Sequence, residues 1–236
     1  MRARPIVTID GPAGAGKSTV ARALARRLGF TYLDTGAIYR AVALAASRSA
    51  TLGDLIEEKA LERLVERDAE ALGALAAALD VRFTDAGTRV WLGDEDVSVA
   101  IRTARISQNA SSVSAIPAVR AGVLDLQRRL AGEGGVVAEG RDLGTVVFPD
   151  AEVKIYLTAD LESRAGRRAL ELRARGEEAD VAEVLHEIER RDRRDSERKA
   201  APLRRPEGAI ELDTSGLSIE AVVDRLAEVV SGRQCS

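Results

Sequence analysis

Gly11-Pro12-Ala13-Gly14-Ala15-Gly16-Lys17-Ser18-Thr19 fits the pattern G-x-x-x-x-G-K-[ST]. Before it runs Ile6-Val7-Thr8-Ile9, apolar and β-branched, which reads as a buried strand. After it, residues 20–28 are rich in Ala, Leu and Arg and read as a helix. Strand, glycine loop and helix, in that order, are the setting in which such a loop holds phosphate. Glycines at 11, 14 and 16 permit positive φ, so successive main-chain N–H groups can converge into an anion nest. The first turn of the following helix adds its positive dipole end. Lys17 is placed to bridge the β- and γ-phosphates of a nucleoside triphosphate, and the Ser18 hydroxyl to hold Mg²⁺. A turn that merely joined strand to helix would gain nothing from a lysine and a serine at these positions.

Working outward, Gly29 reads as the helix C-cap and residues 30–33 as a second strand. Asp34-Thr35-Gly36 forms a turn, with Thr35 as cap of a helix over residues 37–47. Residues 55–79 read as a long packing helix. Val81-Arg82-Phe83-Thr84 and Arg89-Val90-Trp91-Leu92 are strand signals around Asp85-Ala86-Gly87-Thr88, which predicts an antiparallel hairpin. Helix is expected over 101–115, and again from Pro117 to about residue 130. Strands follow at 136–139, 153–157 and 210–213, and helices at 161–175, 181–200 and 218–230. Strands alternating with helices predict an α/β fold, a parallel sheet flanked by helices on both faces. Ligands of such sheets sit at the carboxyl ends of the strands. Asp34, Arg141, Thr158 and Asp213 all follow strand ends and are expected on the rim that carries Lys17.

Composition narrows the function classes. The chain has 236 residues, of which 45% are hydrophobic, and a net charge of −3. That charge gives no global pull toward nucleic acid or a membrane surface. Lysine occurs only at 17, 59, 154 and 199, so arginine is the default cation and runs of it carry little information. The single cysteine, Cys235, excludes an intrachain disulfide and fits a reducing cytoplasm. Residues 1–5 lead straight into the first strand, so no signal peptide is expected. No apolar run approaches a membrane span.

A phosphate loop does not say which second substrate is used. Arg40, beside Tyr39 and one turn into its helix, either forks a phosphate of a second nucleotide or lies on the surface. Gly140-Arg141-Asp142-Leu143-Gly144-Thr145 sets a charged pair directly after an apolar strand, which suits a guanidinium facing a cleft. Arg191, Asp195 and Arg198 are spaced to share one helical face. Arginines alternate there with Asp and Glu, so the segment is not a polybasic nucleic-acid arm. It is either a solvated salt-bridge helix or a lid closing over phosphates, which Arg164, Arg167 and Arg168 on the preceding helix could serve. Arg102, Asn109 and Ser112 fall on one face of the 101–115 helix, with Arg120 just beyond Pro117.

The chain resembles the bacterial cytidylate (CMP) kinases of the nucleoside monophosphate kinase family over nearly its whole length. Four stretches carry the resemblance: residues 8–19, Leu-Asp-Thr-Gly-Ala-Ile-Tyr-Arg at 33–40, Glu-Gly-Arg-Asp-Leu-Gly-Thr-Val-Val-Phe-Pro-Asp at 139–150, and Arg-Asp-Arg-Arg-Asp-Ser-Glu-Arg-Lys-Ala-Ala-Pro-Leu at 191–203. The resemblance implies ATP as phosphoryl donor, Mg²⁺, and CMP or dCMP as acceptor. It implies acceptor-phosphate contacts from Arg40 and Arg141, with Thr35 and Tyr39 beside them and Arg102 nearby. Ser112, Arg120 and Asp142 would read the cytosine edge, and Arg191, Asp195 and Arg198 the sugar and the lid side. Lys17, Arg141, Arg191 and Arg198 would be the catalytic cations, with Arg164 and Arg168 on the donor nucleotide. The implied single kinase domain has its core at about 1–79, 132–160 and 201–236. A monophosphate-binding insert would span about 80–131 and a lid about 161–200. Glu139 stands where relatives often carry Asp, and Thr35 where others carry Ser. A monomer without nucleic-acid or membrane partners is expected. A GTPase switch would want an Asn-Lys-x-Asp stretch, which the chain lacks. Kinases of UMP, AMP or shikimate are the nearer rivals.

Overall fold

The computed structural model describes residues 2–49, 68–84, 87–174, 176–198 and 200–234. In chain order the elements are β1 (Ile6–Asp10), α1 (Lys17–Leu28), β2 (Thr31–Asp34), α2 (Thr35–Arg48), α3 (Ala69–Ala78), β3 (Val81–Thr84), β4 (Arg89–Leu92), β5 (Glu95–Asp96), α4 (Ala104–Val113), α5 (Pro117–Ala131), β6 (Val136–Glu139), β7 (Val153–Thr158), α6 (Leu161–Ala174), α7 (Val181–Glu197), β8 (Ile210–Asp213) and α8 (Ile219–Gln234). The chain divides into two compact units, Met1–Tyr32 with Glu133–Ser236, and Leu33–Gly132.

The first unit is built on a five-stranded sheet of order β2-β6-β1-β7-β8, with β1 in the centre. β1 pairs in parallel with β6 and β7, and β7 with β8. Every residue of β1 is buried, which is why it reads as a continuous apolar run rather than an alternating one. α1 and α8 close over the sheet through Val20, Leu24, Val222, Leu226 and Val230. α1 ends on Gly29 in the left-handed region, as its sequence predicts. Parallel pairing brings the carboxyl ends of β1, β6, β7 and β8 to one rim. The glycine loop, Gly140-Arg141, Thr158 and Asp213 therefore share that edge.

Asp10, the last residue of β1, is fully buried. Its carboxylate accepts the main-chain N–H groups of Leu143 and Gly144 at 2.9 and 2.8 Å. These bonds anchor a π-helical turn, Leu143–Val147, where a loop is expected from sequence. Burial pushes the Asp10 carboxyl up to about 6; the two N–H donors oppose that shift and Asp142 adds to it.

The second unit packs α2, α3, α4 and α5 around Ile38, Val42, Leu72, Ile101, Ile106, Val119 and Val123, with β3 and β4 against the same core through Val81 and Val90. The expected hairpin is present, extended by β5 into a three-stranded antiparallel sheet. The unit is larger than an insert over 80–131, because α2 and α3 supply half of its core. α3 and α5 approach closely: a Cβ at Gly122 would lie 2.5 Å from the carbonyl oxygen of Gly73. The expected helix over 55–79 lies partly outside the described residues, as does part of the hairpin turn at Asp85-Ala86.

Two expected boundaries are corrected. The helix expected over 101–115 is broken: Ala100–Arg102 is a short 3₁₀ turn, and α4 starts afresh after Thr103. The Thr103 hydroxyl accepts the N–H of Ile106, a side-chain cap that a continuous helix could not make. Arg102 is thus not on one helical face with Asn109 and Ser112. Likewise α2 is capped by Asp34 rather than Thr35, since Asp34 Oδ1 accepts the N–H of Ala37 at 2.9 Å.

Candidate active site

The glycine loop takes the form its sequence demands. Gly11 has φ 148°, and a Cβ there would lie 2.1 Å from the carbonyl oxygen of Leu157, so loop and β7 can meet only through glycine. Gly16 is left-handed at φ 81° and turns the chain into α1. Lys17 is buried, and its Nζ donates to the carbonyl of Pro12 at 2.6 Å, folding the side chain back across the loop. Burial, then the Arg141 guanidinium, press the ammonium well below the ordinary lysine value. An anion in the loop would reverse that pressure.

Ser18 is exposed on the first turn of α1, and its hydroxyl donates to Glu139 Oε2 at 2.8 Å. Glu139 ends β6 and is itself buried. Its other oxygen accepts the Tyr32 hydroxyl. A hydroxyl and a carboxylate at the rim form a hard oxygen donor pair. Mg²⁺ asks no more of a protein where waters and phosphates complete its octahedron. Among the described residues no group of three or more His, Cys, Asp or Glu could hold a metal by itself.

The Gly-Arg-Asp segment meets the end of α7 in a buried ionic network. Arg141 Nε donates to Asp195 Oδ2 at 3.0 Å. Arg198 Nη2 donates to Asp142 Oδ1 at 3.3 Å, and its Nη1 lies 3.9 Å from Asp195 Oδ1. Burial pushes the Asp195 carboxyl up, but Arg141, Arg191 and Arg198 outweigh it and hold the carboxyl below its ordinary value. Three of the expected catalytic cations therefore surround one carboxylate. Arg198 is not helical, since α7 stops at Glu197. Even so, it reaches the partner that helical spacing predicts for it.

The expected donor-side arginines are placed differently. Arg164 is buried and committed to the chain itself, donating from Nη1 to the Ala13 carbonyl and to Asp192, and from Nε to the Ala159 carbonyl. Arg168 pairs with Glu171 on the outer side of α6. Arg167 donates to the hydroxyl and carbonyl of Thr214.

In the second unit, Arg40 pairs with Asp34 at 2.7 Å, so one carboxylate caps α2 and steadies the guanidinium. The Arg120 guanidinium lies 5.4 Å from the centroid of the buried Tyr39 ring and donates to the Ser114 carbonyl at 3.1 Å. Thr35 is buried at the start of α2, and Ser112 is half-buried in the last turn of α4. The structure thus joins Asp34 with Arg40 and Tyr39 with Arg120. Asp34 is expected on the rim and Glu139 only as a motif position, and the sequence assigns neither these nor Asp10 and Asp192 the contacts seen here. For Asp34 the N-cap rule held a usable signal; for the other three it held none.

Parallel sheet, glycine loop, buried lysine and a rim of guanidinium groups define a P-loop phosphotransferase. The cytidylate kinase family model matches residues 7–232. Cytidylate kinase of Geobacter sulfurreducens is 48% identical over 231 residues, covering 97% of this chain and 94% of that one. The enzyme of the same name from Carboxydothermus hydrogenoformans is 48% identical, covering 95% and 96%. That from Pseudomonas aeruginosa is 49% identical, covering 94% and 93%. The chain belongs to the cytidylate kinase family.

Proposed function

We propose that the protein transfers the γ-phosphoryl group of ATP to the 5′-phosphate of CMP or dCMP. The observation that carries this reading is Lys17, a buried amine whose charge is disfavoured until an anion enters the loop. The acceptor phosphate is already an anion, so the reaction needs positioning and positive charge rather than a general base. Main-chain amides of the loop hold the donor phosphates. Lys17 leaves the Pro12 carbonyl for them, and Arg141, Arg191 and Arg198 face the transferring group. Arg40 and Arg102 hold the acceptor phosphate, with Thr35 and Tyr39 beside it. Ser112, Arg120 and Asp142 read the base, and Asp195 the sugar. Ser18 and Glu139 would hold Mg²⁺, which supplies charge neutralisation between the donor phosphates. Arg198 engages Asp142 through Oδ1, so a cytosine contact at that same oxygen would be shared with the guanidinium.

The protein is further proposed to act as a cytoplasmic monomer, with α6 and α7 as a closing lid. Among the described residues no helix is long and apolar enough to cross a membrane. ADP release measured with ATP and a panel of acceptors tests the reading. CMP and dCMP are expected to be turned over in preference to UMP, AMP and shikimate. Preference for AMP or shikimate would overturn it.

A further inference from the structure

Asp192 lies on α7, three residues before Asp195, and touches two distant parts of the chain. Its Oδ1 accepts the N–H of Ala13 at 2.9 Å, and its Oδ2 accepts Nη1 of Arg164. The same Nη1 donates to the Ala13 carbonyl at 3.0 Å. Ala13 is therefore held at both polar groups by one acid and one guanidinium that also hold each other. Its methyl is buried among Ala165, Ala169, Val184 and Ile188 of α6 and α7. The next residue lies directly on α6: a Cβ at Gly14 would be 3.0 Å from the Cβ and from the carbonyl oxygen of Arg164.

A carboxylate on a loop amide admits two readings. It is a stand-in anion that the triphosphate displaces, or a strut that stays. A phosphate could compete for the Ala13 N–H, but it offers nothing to the carbonyl or the methyl, both of which the two helices also hold. Displacing Asp192 would in addition leave the buried Arg164 guanidinium without its carboxylate, which is costly in a poorly hydrated place. The strut is the better account.

We propose that Asp192, acting through Arg164, is a positioning residue. It fixes the Ala13 peptide and so aims the N–H groups of residues 14–18 at the donor phosphates. The proposal rests on the reading of residues 11–19 as the ATP site. It also takes the Ala13 N–H and Arg164 out of the donor contacts and makes them part of the frame.

The test uses Asp192→Ala and Asp192→Asn in the full chain. It measures ATP binding by calorimetry without acceptor, KM for ATP and CMP, thermal midpoint, and amide hydrogen exchange over residues 11–18 without nucleotide. Asp192→Ala is expected to weaken ATP at least tenfold, to leave the KM for CMP within twofold, and to speed exchange across the loop. Asp192→Asn keeps an acceptor for Ala13 and should fall between; if the alanine variant does not fold, the asparagine variant carries the comparison. Tighter ATP binding would overturn the proposal in favour of the stand-in anion. Unchanged ATP binding, or equal losses for ATP and CMP together with a lowered thermal midpoint, would also overturn it. Lys17→Ala measured alongside separates the two levels. If it too leaves ATP binding intact, the loop is not the donor site. If it abolishes binding while Asp192→Ala does nothing, the positioning role alone fails.

Discussion

The two compact units hold charge by different means. On the parallel sheet the proposed anion site is main chain, and the side-chain cations beside it are drawn into a buried network. Arg141 and Arg198 share Asp195, Arg198 also takes Asp142, and Arg164 is locked to Asp192. In the unit of residues 33–132 the candidate groups are single side chains steadied by neighbours within a few residues. Asp34 holds Arg40, and the Ser114 carbonyl holds Arg120, with the Tyr39 ring against its guanidinium. A site of amides depends on loop shape, whereas a site of separate side chains depends on each one. Substitutions should therefore act broadly in the first unit and one ligand at a time in the second.

The largest effect expected is on Lys17. Lys17→Ala should cost ~3 kcal/mol or more of transition-state stabilisation, about a hundredfold or more in kcat/KM. Steady-state kinetics with unchanged turnover would remove Lys17 from the reaction.

Asp10 gives the next largest effect. Its folded-state value of about 6 stands above the ordinary 3.8. The folded protein thus binds that proton more tightly than the unfolded chain. The stability it contributes is present below pH 3.8 and is lost as pH rises toward 6. Asp10→Asn lacks this titration. Relative to the variant, the parent should lose about 2–3 kcal/mol of unfolding free energy between about pH 4 and about pH 7. Urea titrations at both values read the difference, and parallel pH profiles would refute the buried-carboxyl account.

Glycine substitutions sharpen the contrast at smaller scale. Gly122→Ala drives a methyl toward the Gly73 carbonyl, and the clash outweighs the gain in helix propensity. A net loss of ~1–2 kcal/mol is expected. At Gly166, inside α6, an added methyl would meet nothing within 4 Å. Gly166→Ala should instead gain up to ~1 kcal/mol. Thermal melts that ranked the two the other way would show that packing of α3 on α5 is looser than described.

How much of this could be read from the sequence follows the same division. β1, the loop and α1 were legible because each residue acts through its own backbone: apolar β-branched residues for a buried strand, glycine for φ, Gly29 for the cap. β6, β7 and β8 were legible as apolar runs between helical segments. The π-turn at Leu143–Val147 was not, because its cause is Asp10, far upstream in the chain. The contacts of Glu139 and Asp192 are illegible for the same reason: a carboxylate's role lies in the partner it meets, here Ser18 and Ala13. Arg164 reads on sequence either as serving a lid or as part of a solvated helix face, and the structure instead buries it against Ala159, Ala13 and Asp192. In the second unit the helix position of Arg40 beside Tyr39 marks it as a phosphate fork or a surface residue, and the resemblance alone gives Tyr39 and Arg120 their roles, because the contact between them depends on how distant helices pack. The break at Thr103 had a local cause that was legible, a threonine cap, but an unbroken helical pattern overrode it.

Two anions are thus expected at two different kinds of site, one of main-chain amides and one of separate side chains. Calorimetric titration of ATP and of CMP, each alone, into the parent protein, Lys17→Ala and Arg40→Met tests this most directly. A crossed pattern is expected, with ATP binding lost in the lysine variant and retained in the arginine variant, and CMP binding the reverse. Loss of both ligands in both variants, or CMP binding untouched by Arg40→Met, would contradict it.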